Sequence, residues 1–251
     1  MSRRTNAIIV MASAILLAAP AAAVDGEILI DQAKVNVGGI TPGDAPGFPV
    51  TLGKSGRYKL TGNLKVPAGK DGIEVTQHDV TIDLNGFAIS SDPPGEASSG
   101  VFAPDNVTGP RVMNGTITGF SQYAIDNRNG ESLMVENMRI VSNKVGINGG
   151  TESRIRNSTI ANGSGGIGCS DRCLIEQNVI TGNTGVGISV FRGGQVLGNV
   201  IVGNGGYGLA AANTAATGYG GNILFGNKGG GAQLAGNLLP LHPNVCEPAC
   251  P

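Results

Sequence analysis

The side chains able to do chemistry concentrate between residues 126 and 156: Asp126 with Arg128, Glu136 with Arg139, Asn148, and Glu152 with Arg154 and Arg156. A carboxylate can take or deliver a proton, and a neighbouring guanidinium can stabilise the anion that forms or clamp another carboxylate through two hydrogen bonds. Elimination needs one base and one cation, whereas hydrolysis needs two acidic groups across the scissile bond. Either set must gather on one surface. The same alternation of charge also has a purely structural use, because opposite charges on adjacent elements pair with each other. The elements that carry these residues therefore decide what they do.

Other catalytic signatures are absent. His78 precedes Asp79 in a turn and His242 lies in a proline-rich tail, so neither is placed as a catalytic base. Asp83 in "TIDLNG" is read as a turn residue that accepts hydrogen bonds from backbone amides. There is no HExxH, no nucleophile elbow and no GGxGxD calcium repeat. No metal site is expected.

The positioning elements announce themselves by repetition. "NVITGNTGVGISV" from Asn178 is followed by "NVIVGNGGYGLAA" from Asn199, and aligning on the first Asn gives Asn137, Asn157, Asn178, Asn199 and Asn222. A second Asn follows in each unit: Asn143, Asn162, Asn183, Asn204 and Asn227. An apolar marker runs Ile73, Val101, Ile125, Ile147, Ile167, Ile188 and Leu209, with Ala232 as a weaker last member. Within each unit the apolar residues fall in short β-branched pieces broken by Asn and Gly, and no stretch after residue 23 keeps a helical period. Each unit is thus two or three short strands.

Such a unit cannot bury its apolar side alone; stacked at the strand spacing of about 4.8 Å, eight of them make a continuous interior column and a rod on the order of 34 Å long. The recurring Asn is expected to serve this architecture by occupying left-handed turns and by forming a hydrogen-bonded ladder along the rod. On this alignment Asp126, Asn148, Gly168 and Ser189 share one outward column, and Glu136, Arg156 and Gln177 share another.

With these motifs in hand, and with "GRYKLTGNLKV", "GIEVTQHDVTIDLNGFAI", "NVITGN", "NVIVGN" and "NILFGN" carrying the likeness, the chain resembles right-handed parallel β-helix proteins of the pectate-lyase-like superfamily. The resemblance implies an all-β, single-stranded right-handed parallel β-helix of about eight coils with N- and C-terminal caps. Members of that superfamily that act on polysaccharides make an extended polysaccharide the expected partner, and the charged coils supply its candidate contacts: Asp126, Arg128, Glu136, Arg139, Asn148, Glu152, Arg154 and Arg156. Fold alone does not choose an activity. The expected function is a non-catalytic polysaccharide-contacting or structural cell-envelope module, and the alternative is a polysaccharide lyase or epimerase acting on an acidic glycan. No cofactor is expected, calcium entering only with the lyase alternative. The loops in "SSDPPGEASSG" and "APDNVTGP" are placed to wall a cleft beside the charged coils.

The chain divides accordingly into a signal peptide (1–23), an N-terminal lead-in and cap (24–70), the β-helix (71–237) and a disulfide-pinned C-terminal cap (238–251). The first segment has two arginines, a short apolar run and small residues at Ala21 and Ala23, the layout of a secretory leader, so the mature chain is expected in the periplasm or outside the cell. Its removal leaves 15 basic against 18 acidic residues, a net charge of about −3 that gives no electrostatic basis for nucleic-acid binding. No other segment is long and apolar enough to span a membrane. Four cysteines form two close pairs, Cys169 with Cys173 and Cys246 with Cys250. In an exported chain two local disulfides are the favoured state, with buried thiols or a metal site as the other readings.

Overall fold

Each apolar marker from Ile73 to Leu209 lies directly over its counterpart one coil away. A computed structural model describes residues 26–212, 215–247 and 250; the expected leader lies outside the described residues. Every strand pairing in it is parallel, and the chain turns through three faces per coil.

Face one is a sheet of nine strands, beginning with Val50–Leu52 and Ile73–Val75 and continuing through Ser99–Phe102, Tyr123–Glu131, Val145–Thr151, Gly165–Asp171, Ile188–Arg192 and Leu209–Ala211 to Leu234–Ala235. Face two begins with Ile28–Ile30, followed by Gly56–Leu60, and face three with Leu64–Pro67. The long strands Arg111–Thr118 and Met134–Val141 bend around the corner and serve both of these faces.

Each face contributes inward apolar columns. On face one a column runs Val50, Ile73, Val101, Ile125, Ile147, Ile167, Ile188 and Leu209, and on face three Leu64, Ile89, Ile117, Ile140, Ile160, Ile180, Ile201 and Leu224. All are fully or almost fully buried. At roughly 1.5–3 kcal/mol for each aliphatic side chain taken from water, these columns supply the main driving force for stacking.

Among the described residues nine coils are formed, one more than the eight expected. The additional one lies at the front, where Val50 pairs with Ile73, so residues 56–67, expected as a cap, are laid down as coil strands. The last marker is Leu234, which pairs with Leu209; Ala232 is two residues early because the 3-10 turn Asn227–Gly230 lengthens that coil. The N-terminal end is covered by the strand Ile28–Ile30 and the six-residue helix Gln32–Val37, which buries Val35 and is capped by the Asp31 side chain on the Lys34 amide. Strands Leu238–Pro240 and Val245–Glu247 continue faces two and three at the other end. Disulfides join Cys169 to Cys173 and Cys246 to Cys250. Among the described residues no helix is long and apolar enough to cross a membrane.

The Asn residues aligned by the sequence divide into two kinds. Asn178, Asn199 and Asn222 are buried, and each accepts from the backbone N–H of the residue below it in the stack, at 3.0 Å from Ser158 and Asn178 and 2.9 Å from Asn199. The Asn199 amide also donates to the Ile175 carbonyl (2.9 Å) and to Asn222 Oδ1 (3.1 Å). Asn137 and Asn157 are not in this ladder. They stand one position earlier, at the exposed corner, with φ of 55° and 51°. Their column continues as Gln177, Gly198 and Gly221, all with positive φ. Both positions favour Asn, one for its amide and the other for its tolerance of left-handed backbone, so alignment by residue type slips by one. The second series behaves the same way: Asn183, Asn204 and Asn227 form a buried ladder, while Asn162 is a left-handed corner residue.

The two kinds should respond oppositely to substitution. Asn199→Ala leaves the buried Asn178 backbone N–H without a partner and takes one donor from the Ile175 carbonyl, and an expected loss of about 1–3 kcal/mol would be read from urea unfolding. Asn157→Gly, at a corner that glycine fills two column members later, should change stability by less than about 0.5 kcal/mol.

Candidate functional site

On face one the outward column predicted from the sequence is present: Phe102, Asp126, Asn148, Gly168, Ser189 and Ala210 lie one above another. Asp126 and Arg128 are two apart in one strand and so project on the same side. Arg128 folds back onto Asp126, its Nε lying 3.1 Å from each carboxylate oxygen, and the guanidinium rests 4.6 Å from the Tyr123 ring centroid. This pairing raises the arginine's already high pKa further and leaves Asp126 only 2% exposed. Asp71, one coil edge away, accepts from the Ser99 amide at 2.8 Å; burial, opposed by that bond, raises its carboxyl above the ordinary range, and Asp126 adds to the rise. Across the opening Asn129 donates to Asp105 at 2.6 Å.

These groups line a depression of about 350 Å³, together with Ser98, Gln122 and Phe102. Both loops expected to wall a cleft contribute, Ser98 from one and Ala103 and Asp105 from the other. Three carboxylates face one guanidinium here, and that guanidinium is already committed to Asp126. Farther along the same face the outward side chains shrink. Asn148, Gly168, Ser189 and Ala210 floor a shallow trough of about 510 Å³, with Phe191 at its edge.

The remaining candidates lie elsewhere. Glu136 and Arg156 are on face two, where Glu136 is flanked by Arg111 from the preceding coil and Arg156 from the following one. Arg156 donates from Nε and Nη2 at 3.0 and 2.7 Å. The Arg111 guanidinium first, and Arg156 with it, hold the Glu136 carboxyl below the usual range against the opposing effect of burial. The third member of this column is Glu176, not Gln177, which sits at the left-handed corner. Arg154 is exposed on face two and Arg139 on face three. Glu152 occupies the corner between faces one and two and pairs with Arg172 of the next coil at 3.0 Å. The eight candidates therefore form no single patch; Asp126, Arg128 and Asn148 share the depression and trough, and the others belong to other surfaces.

Three residues that matter were not singled out from the sequence: Asp71, Asp105 and Arg111. The first two lie in early, irregular coils where the period does not fix register, although the Asp105 loop was marked as a cleft wall. Asp83 fills its expected turn role, accepting from the Asn85 amide at 2.8 Å. Among the described residues no cluster of three or more His, Cys, Asp or Glu side chains could hold a metal ion.

Comparison with known proteins locates the fold. The crystal structure of Dettilon tailspike protein (gp208) superposes with a TM-score of 0.51 at 18% sequence identity, covering 71% of this chain and 42% of that one. The A-module of the mannuronan C-5 epimerase AlgE6 from Azotobacter vinelandii is 14% identical over 78% of this chain and 81% of its own, at a TM-score of 0.21. The chain thus spans less than half the length of the tailspike chain, and the likeness is one of fold. No curated protein matches it. A family model described as a right handed beta helix region matches residues 50–197 and 99–238. With most of its length under those two overlapping matches and with parallel coils throughout, the chain belongs to the right-handed β-helix family.

Proposed function

We propose that the protein is an exported, non-catalytic module that holds an extended polysaccharide along face one. The observation that carries this reading is continuity: the polar depression at Asp126 and Arg128 opens, along the same outward column, into a trough floored by Asn148, Gly168, Ser189 and Ala210. Shallow troughs with carboxylate and amide acceptors suit sugar hydroxyls, and the exposed edges of Phe102 and Phe191 offer apolar contact to sugar ring faces. Two disulfides support an oxidising location.

The charge of the site bears on the choice of glycan. Carboxylates outnumber cations in the depression, so it favours neutral or amino sugars over uronates. That runs against the lyase or epimerase alternative, which requires a positive charge not already neutralised to stabilise an enolate; the charge of Arg128 is balanced by Asp126, and that of Arg156 by Glu136 on another face.

Retention of the mature chain on a panel of neutral, amino and acidic polysaccharides tests the reading. Neutral or amino glycans should retain it without new ultraviolet absorbance from unsaturated products. Ser189→Trp, which fills the trough from an exposed position, should abolish retention, and Asp105→Asn or Arg128→Ala should weaken it about tenfold, equivalent to about 1.4 kcal/mol. Retention by uronate polymers alone, or turnover, would refute it.

Glu136 is expected to serve the stack and not the glycan. Its folded pKa lies below the ordinary Glu value of about 4.3, so its contribution is complete above that value and is lost as pH falls through the folded one. Glu136→Gln should therefore leave glycan retention unchanged while flattening the fall in melting temperature below about pH 5.

A further inference from the structure

Face three carries a surface that the glycan reading does not use. Its two outward columns are fixed by register. One runs Arg139, Thr159, Val179, Val200, Ile223 and Val245; the other runs Val141, Ala161, Thr181, Val202, Phe225 and Glu247, its first two members buried and the rest at least partly exposed. In the earlier coils the same columns hold Lys65, Ser90, Thr116 and Thr118. The face thus changes from polar to apolar along the rod. In the apolar half Val179 is 40% exposed, Ile223 43%, Phe225 50% and Val245 68%, although each stands in a regular strand beside others of its kind.

Between its ends the strip bears no charge. At one end stands Arg139 and at the other Glu247, both exposed and neither with an ion-pair partner among the described residues. Every other arginine of coils four to seven is paired with a carboxylate, apart from Arg154. An apolar centre with a single positive end and a single negative end is complementary to itself reversed.

We propose that face three is a docking surface for a second copy of this chain, packed antiparallel about a two-fold axis that crosses the strip between the Val179 and Val200 coils. That operation sets the Val179 coil against the Val200 coil of the second copy, the Thr159 coil against that of Ile223 and Phe225, and the Arg139 coil against that of Glu247. Arg139 then lies diagonally across from Glu247 of the second copy, a separation that a long side chain spans, and symmetry repeats the pair at the other end. The strip covers six coils, about 24 Å at the strand spacing, and two columns. That is a small contact for a specific interface, so the dimer is concentration-dependent. Face one stays open on both copies, and association brings two glycan troughs onto one particle in opposite directions.

Sedimentation velocity of the mature chain over a wide concentration range tests this. Dimerisation is expected with rising concentration, and Val200→Glu or Phe225→Lys should abolish it. Arg139→Glu and Glu247→Arg should each raise the dissociation constant about tenfold, and the two together should restore it to within about threefold of the parent. Restoration in the doubly reversed protein also separates loss of contact from loss of fold. A monomer at every concentration overturns the proposal. So does a dimer insensitive to these substitutions, or one that the double reversal fails to rescue.

Discussion

The structure depends on one constraint: successive coils must superpose at a constant rise even where the chain turns a corner and strand pairing breaks. At the two corners flanking face three, buried side-chain amides take over the pairing that the backbone gives up. Each ladder Asn accepts from the amide of the preceding coil and donates to a carbonyl of that coil, as Asn199 does with Asn178 and Ile175. One side chain thereby satisfies backbone groups that would otherwise be buried without partners, and it does so at a fixed spacing. At the third corner the corresponding inward position is Leu133, Ser153 and then Cys173, whose disulfide to Cys169 closes the turn covalently.

Because the inward columns and the amide ladders hold the stack, the outward columns are free to differ, and the three faces do. Face two uses its outward positions for charge pairing across coils, where Arg111, Glu136 and Arg156 form a continuous row. Face three is polar at one end and aliphatic at the other. Face one loses side-chain bulk as it ascends, and the result is a trough. Function in such a rod is a property of a face and not of a segment, which is why residues close in sequence, such as Arg154 and Asn148, end on different surfaces.

This explains what the sequence disclosed and what it withheld. The period, the inward Ile column and the outward column from Asp126 to Ser189 were legible because coils of 20 to 22 residues repeat with little insertion. Assignment to a face was not legible from charge density, since residues 126–156 wind more than once around the rod. The distinction between Asn157 and Asn178 was hidden because two adjacent positions select the same residue for unrelated reasons. Asp71 and Asp105 were hidden because the coils that carry them contain loops, and the extra front coil because Val50 has no Asn marker beside it.

The same geometry separates charges that hold the fold from charges that can meet a ligand. Glu136 has an arginine in the coil on either side, so its bonding capacity is consumed by the stack. Asp126 has Phe102 and Asn148 above and below it, and neither neutralises it. Its partner comes instead from its own strand, where Arg128 spends Nε and Nη2 on the carboxylate while its side chain remains 45% exposed. A guanidinium carries five N–H donors, so some of those on Arg128 still face the opening. Asp105, exposed on the far wall, keeps acceptor capacity beyond its bond from Asn129. A charge paired across coils is consumed by the architecture, whereas a charge paired within its coil keeps a side for a ligand, and in this rod such a pair stands where the trough begins.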